Sequence, residues 1–254
     1  MERGVYKNLK IYKPVAQSDS SERFKVFGER NKKETKTLMV LGAYDRGKDI
    51  FINSLVNHLW DVKVPDRFRF KVVFNSESTN SANAYKLNNL KHEYNITILD
   101  VPEFGDEETS DVLNSIVKDC KELQLVEFHA ICYVVRASDR RLSSGEKAIF
   151  SKLPKLFAKS AQVNIIANFS DDAEPPIKHA LISENIHHAN IFKLNTMFVE
   201  NGTSSFEEFL DYLNSTDSPQ ELESRSRHRL AVLGKTVRNG WNRLRSKSRA
   251  RDQK

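Results

Sequence analysis

The sequence predicts an α/β fold in which helices cover both faces of a mostly parallel sheet. Short apolar segments of four to six residues alternate along the chain with segments whose apolar residues recur every three or four positions. The first pattern is typical of buried strands and the second of amphipathic helices. Their alternation favours right-handed helical crossovers and a ligand site at the carboxyl ends of the strands.

The strands are predicted from runs of apolar residues. A short element is expected in the polar N-terminal segment, and one later strand, in which apolar and basic residues alternate, is expected to be exposed. In chain order the predicted strands are Phe24–Phe27, Thr37–Leu41, Phe68–Phe74 (the exposed one), Asn95–Leu99, Ala130–Val135, Val163–Ala167 and Ile191–Leu194.

The helices are predicted from apolar residues spaced i, i+3, i+4 and i+7, as in Ile52, Leu55, Val56 and Leu59. Pro154 is expected to kink or end the third helix, because proline lacks the N–H that an interior turn needs. The predicted helices are Ile52–Leu59, Leu113–Leu123, Ser144–Phe157 and Phe206–Leu213.

The composition excludes several classes of protein. The chain has 254 residues, 39% hydrophobic and 29% charged, which suits a folded domain that needs no disulfide or metal for stability. Its two cysteines, Cys120 and Cys132, lie in apolar segments and form no metal-binding or disulfide pattern. The longest apolar run is far shorter than the roughly 18 residues that span a bilayer. We therefore expect a soluble, cytoplasmic protein.

A phosphate-binding loop follows the first core strand. The segment Gly42-Ala-Tyr-Asp-Arg-Gly-Lys-Asp49 has the frame G-x-x-x-x-G-K-[ST] and opens the first amphipathic helix. In such a P-loop, backbone N–H groups and the helix N-terminus hold phosphates, and the lysine neutralises them. Gly42, Gly47 and Lys48 are present, so we expect a P-loop NTPase fold.

The last position of the loop departs from the motif. Asp49 replaces the Ser or Thr hydroxyl that ligates magnesium. A carboxylate about 4 Å from a phosphate costs up to about 4 kcal/mol at an effective dielectric constant of 20, and a magnesium ion between them would offset part of this. Asp45 adds a second acid to the loop, and Arg46 is expected to compensate. The sequence therefore predicts weakened binding of Mg²⁺ and phosphate.

Four further segments resemble the immune-associated nucleotide-binding (IAN) group of septin-related P-loop GTPases. They occur in that group's order, and with the P-loop included the resemblance runs from about residue 11 to residue 213. The segments are Ile96–Asp100 with Val101–Asp106, Arg136–Leu142 with Glu146–Phe150, Asn168–Asp171, and Phe192–Asn195 with Ser205–Phe209. The resemblance implies a GTPase-type domain that binds GTP or GDP with Mg²⁺, and a homodimer that forms through the nucleotide face.

The resemblance assigns roles at the magnesium end of the site. Lys48 would contact the phosphates, Asp49 would lie beside Mg²⁺, and Asp100 would hold the ion through water. Thr79 would be the switch threonine that completes the magnesium shell. Other hydroxyl residues compete for that assignment, namely Thr97, Ser76, Ser78 and Ser81.

At the base end, the resemblance implies that Asp171 accepts two hydrogen bonds from guanine. Asn168 keeps the first position of the same motif, whereas Phe169 replaces the lysine that would cover the base. Two departures affect the γ-phosphate. Glu103 replaces a glycine, and Phe104 stands where many GTPases have a water-orienting Gln. We therefore expect hydrolysis to be slow or absent.

The charge is distributed unevenly along the chain. From residue 225 to residue 254 there are eleven basic residues and one acid, a net charge of +10, in a chain whose total is +6. The sequence thus predicts an N-terminal extension (1–36), a G domain (37–214) and a basic C-terminal tail (215–254). Apolar residues at helical spacing make the tail amphipathic (Leu230, Leu233, Val237, Trp241 and Leu244).

The tail is compatible with several partners. An acidic protein, an anionic membrane surface and the chain's own acidic domain would each complement its charge. A solvated tail that only keeps the protein soluble is the simpler alternative. Nucleic acid is disfavoured, because Trp241 is the tail's only aromatic residue.

Two functions remain open from the sequence. The first is a guanine-nucleotide-binding switch with a weakened magnesium site. The alternative is a pseudo-GTPase scaffold that binds no nucleotide and acts through its surface and its tail, and a tail-driven nucleic-acid binder is a third and weaker hypothesis.

Overall fold

The structure of the protein is a computed structural model. It describes residues 9–18, 20–63, 65–74, 81–88, 90–105, 109–158, 161–170, 174–195 and 203–223. Two residues of the predicted site, Thr79 and Asp171, and the tail from residue 224 onward lie outside the described residues.

The described residues contain strands that mostly follow the sequence prediction. In chain order they are β1 (Lys10–Tyr12), β2 (Phe24–Phe27), β3 (Thr35–Gly42), β4 (Phe68–Phe70), β5 (Asn83–Leu87), β6 (Asn95–Asp100), β7 (Glu127–Phe128), β8 (Ala130–Arg136), β9 (Val163–Asn168), β10 (Ile191–Leu194) and β11 (Gln220–Glu221).

The helices flank these strands. They are α1 (Lys48–Leu59), α2 (Thr109–Glu122), α3 (Ser144–Lys152), α4 (Pro176–Ser183) and α5 (Thr203–Ser215), with a short 3₁₀ helix at Leu153–Leu156. The predicted break at Pro154 is confirmed, since α3 ends at Lys152 and the proline lies in the 3₁₀ helix. At the other end of α3, Ser143 and Glu146 form a capping box.

The main sheet has seven strands among the described residues, in the order β10-β9-β8-β3-β6-β5-β2. The five strands from β10 to β6 are parallel to one another. β5 runs antiparallel to β6, and β2 is parallel to β5. The predicted mostly parallel sheet is therefore confirmed, with two reversed strands at one edge.

Helices cover both faces of this sheet, as the sequence predicts. On one face, α2, α3 and α4 pack on alternate residues of the central strand β3, Met39 and Leu41. On the other face, α1 and α5 pack on Leu38 and Val40. The carboxyl ends of β3, β6, β8 and β9 thus meet at one edge between the two helical layers, where a ligand site is expected.

Both flanking segments contribute to the folded unit. β2, from the predicted N-terminal extension, pairs with β5 in the main sheet. β11, which follows residue 214, pairs with β7, and the side chain of Leu222 is fully buried. Within the described part of the chain, no helix is both long and apolar enough to cross a membrane.

Candidate functional site

A cleft of about 630 Å³ lies at the carboxyl edge of the sheet, where the P-loop predicted from the sequence is found. The cleft is bordered by the start of α1, the segments after β6 and β9, and one side of α2. Its lining includes Lys48, Asp49, Asp100, Glu103 and Phe169. The fold therefore brings residues that are far apart in sequence to one cleft.

Gly47 has a backbone that only glycine adopts easily. It is the N-cap of α1 and has φ = 81°, in the left-handed region. A Cβ atom built on it would lie 2.7 Å from Nδ2 of Asn168 and 2.7 Å from Cζ of Phe169. The glycine therefore lets the loop turn into the helix while the segment after β9 packs directly against it.

Lys48 is buried at the base of the cleft, with 3% of its surface exposed. Its ammonium group donates to Oδ1 of Asp49 at 3.2 Å and makes a closer contact with Oδ1 of Asp100. Burial alone would lower the pKa of Lys48, but the charges of Asp100, Asp49 and Glu103 outweigh it and raise the pKa. The lysine is therefore a fixed positive charge that the chain itself already partly neutralises.

The carboxylates around Lys48 outnumber it. Burial raises the pKa of Asp100, and Lys48 only partly offsets this because the charge of Asp49 acts in the opposite direction. Burial likewise raises the pKa of Glu103; the charge of Lys48 offsets part of this, whereas the charges of Asp49, Asp100 and Asp45 add to it. In this site one ammonium group is shared among several acidic side chains. Their negative charges lower the attraction of the site for an anion.

Arg46 contacts protein carboxylates instead of facing the base of the cleft. Its guanidinium donates to the two carboxylate oxygens of Glu146 at 3.2 and 3.1 Å and lies 3.1 Å from Asp139. Glu146 is fully buried and also caps α3. Arg46 is expected from the sequence to compensate for the acids of the loop, whereas its contacts in the structure tie the P-loop to α3.

Asn168 joins the base side of the site to the P-loop. Its side chain is fully buried, and its Nδ2 donates to the carbonyl oxygen of Gly47 at 3.1 Å. Its Oδ1 accepts the backbone N–H of Phe169 at 3.0 Å, which holds Phe169 at φ = 59°. The Phe169 ring is thereby fixed against Gly47 at the border of the cleft.

The structure places most of the predicted residues together. Gly42, Gly47, Lys48 and Asp49 form the loop and the helix start, Asp45 is an exposed loop residue with φ = 60°, and Asp100 and Asn168 end β6 and β9. Of the rivals to Thr79, Ser81 lines the cleft, whereas Thr97 is buried in the middle of β6.

Sequence reasoning missed several residues of this lining. Asn83 and Tyr85, on β5, and Arg136, at the end of β8, also face the cleft. β5 was not predicted, since the polar residues Asn83 and Lys86 hide its short apolar pattern. The end of the predicted strand would have indicated Arg136, which directly follows the apolar run of β8.

The described residues do not form a magnesium site by themselves. No group of three or more His, Cys, Asp or Glu side chains in the described part of the chain is arranged to hold a metal ion. Asp49 and Asp100 supply oxygen atoms of the kind that Mg²⁺ prefers, but both contact the ammonium of Lys48. The donor set around Lys48 therefore does not fit Mg²⁺ as it stands.

The comparisons with known proteins find similarity only among solved structures. No protein-family model and no curated protein sequence matches the chain. A dimerization-deficient variant of Toc33 from Arabidopsis thaliana is 14% identical, with a TM-score of 0.50 over 74% of this chain and 88% of that one. Toc33 in complex with GDP and Mg²⁺ is also 14% identical, with a TM-score of 0.49 over 75% and 88% of the two chains.

A third similar structure is translation elongation factor SelB from Methanococcus maripaludis. It is 13% identical, with a TM-score of 0.45 over 74% of this chain and 36% of that one. At these sequence identities the similarity concerns the fold alone. The similarity to the Toc33 variant and the strand order of the main sheet both indicate the same fold. The chain has the α/β fold of P-loop GTPase domains.

Proposed function

We propose that this chain is a guanine-nucleotide-binding, GTPase-like protein whose magnesium and γ-phosphate site is weakened. The observation that carries the proposal is the placement of Lys48. Its ammonium lies at the base of the cleft, at the start of α1 and directly after the left-handed Gly47. A positive charge at a helix N-terminus beside a glycine loop is the arrangement that binds the phosphates of a nucleotide.

The similar solved structures support the choice of nucleotide. One Toc33 structure contains GDP and Mg²⁺, another contains GMPPNP and Mg²⁺, and SelB was solved with the GTP analogue GPPNHP. In this chain, Asn168 and Phe169 occupy the place of the guanine-specificity motif, and we assign guanine recognition to Asp171. The proposed relationship to the IAN group of GTPases rests on these segments.

The proposed weakness arises from the acids around Lys48. A triphosphate that enters the cleft must compete with Asp49 and Asp100 for the ammonium group, and it also approaches Glu103. Repulsion between each of these carboxylates and the phosphates opposes binding, and it is strongest for the γ-phosphate. We therefore expect GDP to bind at least as well as GTP, little dependence of affinity on Mg²⁺, and slow or absent hydrolysis.

The proposed partners follow from the same face. Tyr44 and Ile50 are exposed to 56% and 42% and line the cleft, so a second copy of the chain that covers the nucleotide face would bury them. The Toc33 studies concern dimerization in that protein. The basic tail is proposed to bind an acidic protein or an anionic membrane surface, with the protein otherwise cytoplasmic.

Titration calorimetry with GTP, GDP and ATP, with and without Mg²⁺, tests the nucleotide proposal. A denatured aliquot is first assayed for nucleotide carried over from expression. We expect micromolar binding that prefers guanine and is abolished by Asp171→Ala. The matched control is Asp217→Ala, which changes an exposed acid outside the cleft. Equal affinity in the two variants would contradict the assignment of Asp171.

A pseudo-GTPase scaffold is the second candidate, and the neutralised state of Lys48 favours it. If the chain's own carboxylates hold the ammonium too tightly, no nucleotide binds and the protein acts through its surface and tail. In that case the double variant Asp49→Ser with Glu103→Gly binds GTP in calorimetry while the parent does not. Nanomolar affinity of the parent chain for either nucleotide would eliminate this candidate.

A further inference from the structure

A small two-stranded ribbon lies against α1, separate from the main sheet. β1 and β4 pair in parallel, with Lys10 opposite Phe68 and Tyr12 opposite Phe70. The side chain of Asn57, on α1, donates to the carbonyl oxygen of Phe70 and accepts its N–H, at 2.7 and 2.8 Å. β4 is therefore fixed to the domain by hydrogen bonds, and β1 is the outer strand of the ribbon.

The ribbon carries only positive charge. The segments 10–15 and 67–74 contain basic residues and no acidic residue. Of the neighbouring acids, Asp61 is paired with Lys63 and Lys91, and Asp66 accepts the backbone N–H of Lys63 at 2.7 Å. Three further acids, Glu93, Glu207 and Asp211, line the cleft beside the ribbon, on the side that Ile11 and Arg69 face. The five basic residues of the two segments are Lys10, Lys13, Arg67, Arg69 and Lys71.

Exposed apolar side chains lie among these charges. Ile11, Tyr12 and Val15 are exposed to 55%, 47% and 91%, and they are three of the six large hydrophobic side chains that are exposed among the described residues. The ammonium groups of Lys13 and Lys71 lie 5.0 and 5.4 Å from the centroid of the Phe74 ring. Apolar and cationic groups are thus interleaved over a few residues of the chain.

Two other partners fit this surface less well. Strand addition by another protein is disfavoured, because β1 has only three residues, begins with Lys10 and is followed by Lys13 and Pro14, as in protected edge strands. Single-stranded nucleic acid needs free aromatic faces for its bases. Here Tyr12 packs against the rings of both Phe68 and Phe70, at centroid distances of 6.0 and 6.4 Å, and the exposed Ile11 and Val15 cannot stack.

We propose that the β1–β4 ribbon docks on bilayers that contain anionic phospholipid. Lys10, Lys13 and Arg67 would lie at the negatively charged headgroups, while the exposed side chains of Tyr12 and Val15 enter the interfacial region. Basic residues beside aromatic and aliphatic side chains are the groups that proteins place at this boundary. The proposal is independent of nucleotide binding and assigns membrane docking to the folded domain in addition to the tail.

Vesicle binding of the full-length chain tests the charge contribution. Phosphatidylcholine vesicles with and without phosphatidylserine are titrated at physiological salt. Lys10→Gln with Lys13→Gln should weaken binding to the anionic vesicles about 25-fold, since each basic residue near such a surface contributes about fivefold. The matched control is Lys152→Gln with Lys155→Gln, two exposed lysines on and after α3, which packs on the opposite face of the sheet. The tail is present in every variant, so its own attraction cancels.

A fluorescent label tests whether the ribbon enters the interface. Val15→Cys is labelled with an environment-sensitive dye, and Ile182→Cys, at a residue 66% exposed on α4, is the control. The native Cys120 and Cys132 are buried, and burial raises the pKa of Cys120 to about 12, so both react slowly. We expect a blue shift on anionic vesicles for the label at position 15 alone.

Three results would overturn the proposal. The first is equal affinity of the Lys10→Gln/Lys13→Gln variant and the parent for anionic vesicles. The second is an unchanged emission spectrum of the label at position 15. The third is a single-stranded oligonucleotide that binds the parent and not this variant while the vesicles bind neither, which would assign the surface to nucleic acid. Circular dichroism of each variant shows that a loss of binding does not come from unfolding.

Discussion

Replacing Lys48 by Met tests the charge arrangement at the base of the cleft. The lysine is almost fully buried beside Asp100, whose side chain is also buried, with exposures of 4% and 7%. Met keeps the length and the apolar part of the side chain but removes the ammonium group. Removing one partner of a buried ion pair typically costs about 3–5 kcal/mol, because the other charge is left without compensation.

We expect Lys48→Met to lower the free energy of unfolding by an amount near the lower end of this range, about 3 kcal/mol at neutral pH. Burial already raises the pKa of Asp100, so its carboxylate can take up a proton when the ammonium is lost. A carboxyl whose pKa is raised in the folded state stabilises the fold at low pH, and this contribution is lost as the pH rises through the folded-state pKa. The variant should therefore lose less stability at about pH 5 than at about pH 7.

Urea unfolding, followed by the change in tryptophan emission, measures this effect. Trp60 packs against Phe27 and Phe70, so its environment changes on unfolding. The double variant Lys48→Met with Asp100→Asn removes both charges and should regain most of the lost stability. The control Lys147→Met breaks a more exposed ion pair, with Glu184 at 2.5 Å, and should cost less than about 1 kcal/mol.

A Lys48→Met variant that loses no more free energy of unfolding than Lys147→Met would contradict this prediction. So would an addition of Asp100→Asn that makes the Lys48→Met variant less stable at neutral pH. Either result would mean that the two charges are not coupled across the base of the cleft.

Three further measurements test other contacts. Gly47→Ala should destabilise the fold by at least about 2 kcal/mol, because the backbone of Gly47 is left-handed and an added Cβ would lie 2.7 Å from Asn168. In the control Gly105→Ala the added Cβ would meet only the Tyr44 ring, at 3.6 Å, so the loss of stability should be smaller. Equal urea midpoints for the two variants would contradict this prediction. Lys36→Met should lower the free energy of unfolding by about 3 kcal/mol and speed hydrogen exchange in α5, because the ammonium of Lys36 donates to three carbonyl groups at the end of that helix, at 2.7, 3.0 and 3.0 Å. Unchanged hydrogen exchange would show that Lys36 does not cap the helix. Burial lowers the pKa of His58 from 6.5, so the contribution of His58 to stability is present above that value and is lost as the pH falls through the lowered pKa. His58→Gln should therefore flatten the dependence of the urea midpoint on pH. An unchanged pH dependence would contradict this prediction.

The sequence predicted the core strands well, and it failed where a strand depends on its neighbours. β10 has the predicted bounds, and the bounds of β6 and β9 differ by one residue, because buried parallel strands are continuous apolar runs. β5 was missed because it lies at the reversed edge of the sheet, where its pairing with β6 and β2 compensates for a weak local pattern. The expected strand Phe68–Phe74 ends at Phe70, since the backbone N–H groups of Val72 and Val73 are bound by Asn53 of α1 instead.

The sequence by itself determined the class of the fold, the position of the P-loop and the charge of the tail. These features depend on neighbouring residues, through apolar periodicity, a glycine frame and a local count of charges. Only the tertiary structure decided that Asp100 shares the ammonium of Lys48 and that Glu146 holds Arg46. Those pairs join residues 52 and 100 positions apart, and strand order and helix packing, which no local pattern records, bring them into contact.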